Sequence, residues 1–161
     1  MLPSPRMLFL VVFLFSAGAL LAGVFIEHHY ELEPCSMCVF QRVMFIGAGL
    51  VALAAAIQNT GAVGRRIYAV LLLLAADLGA ALAIRQLWLQ QLPPEEVPTC
   101  PPNLDYMLDV LPFTEVLAIV LSGDGNCAEV AWTMLGLSIP GWSLICFVLI
   151  VSAGMVQLVR R

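Results

Sequence analysis

The chain has 161 residues, of which 61% are hydrophobic and 11% charged, and its mean hydropathy is +0.98. A water-soluble domain carries about 25% charged residues, so the composition points to lipid as the solvent. There is no lysine, and the seven arginines are scattered, which gives nucleic acid no basic patch to bind.

A spanning helix needs roughly 20 mostly apolar residues. Four stretches qualify: about Met7 to Ile26, Val39 to Ile57, Ile67 to Leu87 and Trp142 to Val159. The first follows Arg6, but its apolar run exceeds the roughly 7–15 residues of a secretory-signal core, so it is expected to be a retained span. The expected fold class is therefore all-α: a polytopic membrane four-helix bundle, forming one membrane domain over residues 1–161.

With four spans, Arg6, Arg65, Arg66, Arg160 and Arg161 all fall on one side, which the positive-inside rule makes cytoplasmic. Both termini are then cytoplasmic. Every acid except Asp77 falls on the opposite side, in loops of about residues 27–38 and 88–141. Trp88, Trp132 and Trp142 lie near that outer boundary, where amphipathic rings settle.

The long loop opens with Pro93, Pro94, Pro98, Pro101 and Pro102, which disfavour helix. Phe113 to Leu121 follows, too short to span and suited to a helix on the membrane surface. Asp77 lies mid-span, where a charge is costly. It has two readings, an interhelical hydrogen bond or a source of protons.

The five cysteines separate into three groups. Cys35-Ser36-Met37-Cys38 is a C-x-x-C at the start of the second span, preceded by Pro34. A helix N-terminus carries partial positive charge, and Arg42 lies four residues beyond Cys38 on the same face. Both favour thiolate, which is the nucleophile in disulfide exchange. A static disulfide is the bland alternative. A zinc site would need further close ligands, and His28 and His29 precede the motif by too little chain to supply them, so no metal is expected.

Cys100 and Cys127 sit in the long loop with turn-forming neighbours. Facing an oxidising compartment they are expected to pair, either as a structural staple or as an exchangeable disulfide. Cys146, amid the apolar fourth span, is expected to act as a small hydrophobe.

This pattern resembles the DsbB family of disulfide bond formation proteins of bacterial inner membranes. Four spans, the C-x-x-C, Arg42 and the loop cysteines carry the resemblance. So does the run Cys127-Ala128-Glu129, Trp132 and Leu135 to Trp142 ahead of the last span. The resemblance implies a relay with Cys35, Cys38, Cys100 and Cys127 catalytic and periplasmic. A DsbA-type thioredoxin-fold partner is oxidised at Cys100, Cys127 passes electrons to Cys35, and Cys38 faces a quinone, ubiquinone or menaquinone, held by Arg42.

Well-known members end the third span with a glutamate–histidine pair. Here Arg85 and Gln86 stand there, so the histidine's role is not carried over; which of the two replaces it stays open, and Arg85 is either a second cation at the quinone or a side chain that snorkels to the boundary. Gln41 precedes Arg42 and is uncharged. Two other classes remain. One is a non-catalytic membrane scaffold with structural disulfides. The other is a quinone-epoxide-reductase-like enzyme, whose C-x-x-C lies in a late span rather than opening the second.

Overall fold

A computed structural model describes residues 4–32, 34–59, 61–93, 95–97, 104–123 and 125–160. Four long helices dominate: α1 (Pro5–His29), α2 (Ser36–Gln58), α3 (Ala62–Leu89) and α7 (Ile139–Val159). Between α3 and α7 lie α4 (Leu104–Val110), α5 (Phe113–Ser122), α6 (Gly125–Ala128) and a small antiparallel hairpin, β1 (Thr133–Met134) with β2 (Leu137–Ser138). The long helices have 25, 23, 28 and 21 residues, each long and apolar enough to cross a bilayer. The protein is an all-α polytopic membrane protein, and its spans overrun the expected bounds by a few residues at most ends.

Local chemistry sets the helix starts. Ser4 caps α1 by accepting from Met7 N at 3.3 Å, with Pro5 in the first turn. Pro140 likewise sits in the first turn of α7, whose N-cap Ser138 makes no side-chain capping bond. Asn59, with φ 42°, ends α2 in the left-handed region that asparagine tolerates.

The bundle closes in the order α1, α2, α3, α7, with α7 returning to α1. Small residues permit the close approach, as they do between membrane helices generally. Ala48, Ala52, Ala55 and Ala56 of α2 and Ala69, Ala76 and Ala83 of α3 are buried. Phe45 of α2 stacks on Phe147 of α7 with ring centroids 4.0 Å apart. Gly79 of α3 lies under that ring, and a Cβ there would fall 2.3 Å from Phe147 Cζ. Leu14, Leu21, Phe25, Leu50, Leu74 and Leu149 project outward, leaving an apolar perimeter suited to lipid.

Asp77 departs from the expected interhelical hydrogen bond. It is exposed on the outer face of α3, and its side chain bonds to nothing among the described residues. Its helical position carries it away from the interior face formed by Leu72, Ala76 and Ala83.

The long loop packs as a cap on the C-x-x-C end of the bundle. Val116 and Val120 of α5, with Met107 of α4, form a second core with Met37 and Leu89. One face of α5 therefore meets protein, while Phe113 and Leu121 stay exposed. The hairpin leaves no signal in the sequence, because each strand has two residues, too few for a visible period.

Candidate functional site

The C-x-x-C begins α2 in the literal sense. Cys35 is the N-cap, and its Sγ accepts from Cys38 N at 3.2 Å. Cys38 stands one turn inside the helix and is half-buried, whereas Cys35 is only 6% exposed. The loop cap brings Cys127 of α6 to the same place. Cys127 is buried, hydrogen-bonds with Cys35, and has its Sγ 3.6 Å from Ser36 Oγ, across 91 residues of sequence. Gly123 enables this approach. It ends α5 at φ +85° and sits where a Cβ would strike Leu89 Cδ1 at 2.2 Å, so loop and α3 close tightly just before α6.

Three of the four expected redox cysteines thus converge. Cys100, with Pro94, Pro98, Pro101 and Pro102, lies outside the described residues. Cys146 is far from the cluster, packed against the bundle core.

The environment makes the sulfurs unequal. Hydrogen bonding to Cys127, then to Cys38, together with burial, pushes the Cys35 thiol far above the ordinary cysteine range. Cys35 therefore holds its proton in the reduced cluster.

Gln86 meets both sulfurs of the motif. Its side-chain Nε2 donates to Cys35 Sγ at 3.2 Å and to Cys38 Sγ at 3.4 Å, and its Oε1 accepts from Gln41 Nε2 at 2.8 Å. Both glutamines are 3% exposed. Sequence reasoning marks both as departures from the family pattern and gives neither a contact with the sulfurs. The available signal was two uncharged amides facing inward near the ends of two apolar spans, where unsatisfied polar groups are expensive.

Beside the sulfurs lies a partly open cavity. Ala19, Leu20, Phe45, Ile139 and Pro140 supply apolar wall; Cys35, Cys38, Gln41, Arg42 and Gln86 supply one polar side, and Glu27 and Glu129 also line it. Arg42 forms an ion pair with Glu27, linking α2 to the end of α1. Ser138 Oγ donates to Gln90 Oε1 at 2.8 Å, fixing the hairpin to the end of α3 and so setting the far wall.

Arg85 is placed elsewhere, which corrects its assignment to the acceptor site. It does not line the cavity. Its Nε and NH2 donate to Leu121 O at 3.3 Å and Ser122 O at 3.1 Å, and its guanidinium lies 4.3 Å over the Trp88 ring. The carbonyls at a helix C-terminus carry partial negative charge, so they compete well for a cation. One residue of helix, a rotation of about 100°, separates Arg85 on the loop side from Gln86 at the sulfurs.

Four spans, a C-x-x-C capping the second and a loop cysteine against it coincide with a family match over residues 5–157, to the model described as Disulfide bond formation protein DsbB. The chain belongs to the DsbB family. It is 49% identical over 160 residues to Disulfide bond formation protein B of Stutzerimonas stutzeri, covering 99% of this chain and 98% of the relative. With the Marinobacter nauticus protein of the same name it shares 50% over 158 residues, covering 98% and 94%. With Disulfide bond formation protein B 1 of Pseudomonas aeruginosa it shares 49% over 160 residues, covering 99% and 98%. It is therefore a multi-pass membrane protein of a disulfide bond formation family.

Proposed function

We propose that the chain reoxidises a periplasmic thioredoxin-fold dithiol protein of the DsbA type by disulfide exchange and passes the electrons to membrane quinone. One observation carries the reading. Cys35 touches the loop sulfur of Cys127 on one side, while its motif partner Cys38 lines the cavity beside Arg42 on the other.

The relay balances as two exchanges and one oxidation. A thiolate of the partner attacks a Cys100–Cys127 disulfide at Cys100; the partner leaves as a disulfide, and Cys100 and Cys127 become thiols. Cys127 then attacks a Cys35–Cys38 disulfide at Cys35, Cys100 closes the loop pair again, and the two electrons rest on Cys35 and Cys38. The quinone supplies the oxidising power, taking two electrons and two protons from that dithiol and leaving as the quinol. An apolar cavity with one polar side suits such a molecule. Arg42 would hold a ring oxygen, Cys38 would face the ring, and Phe45 and Ile139 would wall it.

Sidedness follows from charge. Arg6, Arg65, Arg66 and Arg160 lie at the end of the bundle opposite the cysteines, where Arg65 NH2 donates to Arg160 O. The positive-inside rule makes that end cytoplasmic, with both termini, and puts the cysteines in the periplasm of a bacterial inner membrane.

The test uses purified protein in detergent with a reduced thioredoxin-fold dithiol partner, in separate arms with ubiquinone and menaquinone. Partner oxidation is expected to require quinone and to vanish in Cys35→Ser, Cys38→Ser, Cys100→Ser and Cys127→Ser variants. Full turnover in any of the four would overturn the relay.

A further inference from the structure

The buried amide pair of Gln41 and Gln86 has no part in the relay as written. Its geometry is directional. Gln41 Nε2 occupies Gln86 Oε1 at 2.8 Å, which fixes the amide so that its NH2 group faces the sulfurs. The Gln86 oxygen takes its short bond from Gln41 and also accepts from Cys38 Sγ, at 3.8 Å the longest of these contacts. Both side chains are nearly inaccessible, each showing only an edge to the cavity. Gln41 comes from α2, three residues beyond Cys38, and Gln86 reaches the motif from α3.

An N–H donor distinguishes the oxidation states of sulfur. Anionic sulfur is a strong acceptor, and hydrogen bonds to charged partners are about twice as strong as neutral ones. A disulfide sulfur is a weak acceptor. With Cys35 protonated, ionisation of the reduced pair falls on Cys38, so the donor fixed 3.4 Å from Cys38 Sγ favours the reduced form, making the disulfide a stronger oxidant and Cys38 a better leaving group. An amide has no titratable proton near neutrality, so the bias does not change with pH as an imidazole's does.

We propose that Gln86, oriented by Gln41, is a positioning residue that raises the reduction potential of the Cys35–Cys38 pair by donating to its sulfurs, Cys38 above all, in the reduced state. This rests on reading Cys35–Cys38 as a redox pair and adds the element that tunes it. Arg42 acts at the cavity; Gln86 acts on the sulfurs themselves, whether or not an acceptor is bound.

The experiment is a redox titration of the full chain in detergent against graded ratios of reduced and oxidised glutathione. Cys100→Ser and Cys127→Ser in the parent leave only the C-x-x-C pair to report. Maleimide mass-tagging counts thiols, and Cys146 adds a constant. Gln86→Leu is expected to move the equilibrium toward disulfide by about tenfold, close to 30 mV. Gln41→Leu should move it the same way by less, since Gln86 then loses its orientation but keeps its donors.

Gln86→Asn, whose shorter arm withdraws the NH2 group while staying polar, is expected to shift like Gln86→Leu and serves if the leucine variant does not fold. Gln86→His should restore much of the parent potential, more at pH 6 than at pH 8, as the ring gains a second donor. Potentials in folded Gln86→Leu or Gln86→Asn within about twofold in equilibrium constant of the parent overturn the inference and leave the relay standing. A parent whose Cys35–Cys38 pair forms no disulfide even with excess quinone overturns both.

Discussion

Arg42 and Glu27, fifteen residues apart, meet in an ion pair that joins the second helix to the end of the first at the cavity wall. The pair holds the cation where the acceptor is proposed to sit and leaves its side chain 28% exposed, within reach of a ligand. Arg42→Ala should raise the apparent KM for quinone by more than about tenfold, and Arg42→Lys by less, because lysine keeps the charge but loses the planar fork. Glu27→Gln should cost only about 0–1 kcal/mol of stability, as expected of a partly hydrated pair. Steady-state kinetics and thermal unfolding in detergent read the two effects separately.

Arg85 sits one residue from a sulfur-contacting glutamine yet is engaged with the α5 carbonyls and Trp88. Arg85→Ala should leave the quinone KM within about twofold, as for a surface change away from a site. It should quicken amide exchange at the C-terminal end of α5, near Leu121 and Ser122, which hydrogen-exchange mass spectrometry would detect.

The Cys35 thiol is pushed up chiefly by its hydrogen bond to Cys127. A raised pKa means less thiolate at any pH below it, and only thiolate alkylates rapidly. In fully reduced protein at pH 8, Cys35 should react with iodoacetamide more than about tenfold slower than a free cysteine of pKa near 8.5. Cys127→Ala removes the largest cause and should speed the reaction. Peptide mapping after timed alkylation gives both rates.

Gly79 lies beneath the Phe147 ring, which is buried and stacked on Phe45 and so has little room to retreat. Gly79→Ala should destabilise the bundle by roughly 1–3 kcal/mol through overpacking. The loss would appear as a lower Tm in detergent. Gly47, where an added Cβ meets nothing within 4 Å, provides the control: Gly47→Ala should not lower the Tm.

Much of this protein was legible in its residues alone. Spans are set by length and apolarity, because lipid forces each crossing to satisfy its own backbone hydrogen bonds. The C-x-x-C at a helix start and Arg42 on its face follow from helical spacing, a local rule. Residues far apart in sequence were a different matter. Arg85 and Gln86 are neighbours in the chain, and only the rotation of α3 against α2 and the loop decided that the amide meets the sulfurs and the cation does not. Cys127 reaches Cys35 because α5 packs on Met37 and Leu89, a contact between distant segments with no period to reveal it. Asp77 shows the same limit, since composition placed it in a span but the packing turned it outward. Sequence alone determined the solvent, the spans and the redox motif, through local geometry and transfer free energy. Tertiary structure alone decided which polar groups meet those sulfurs, because that depends on how the helices are rotated and how the loop folds over them.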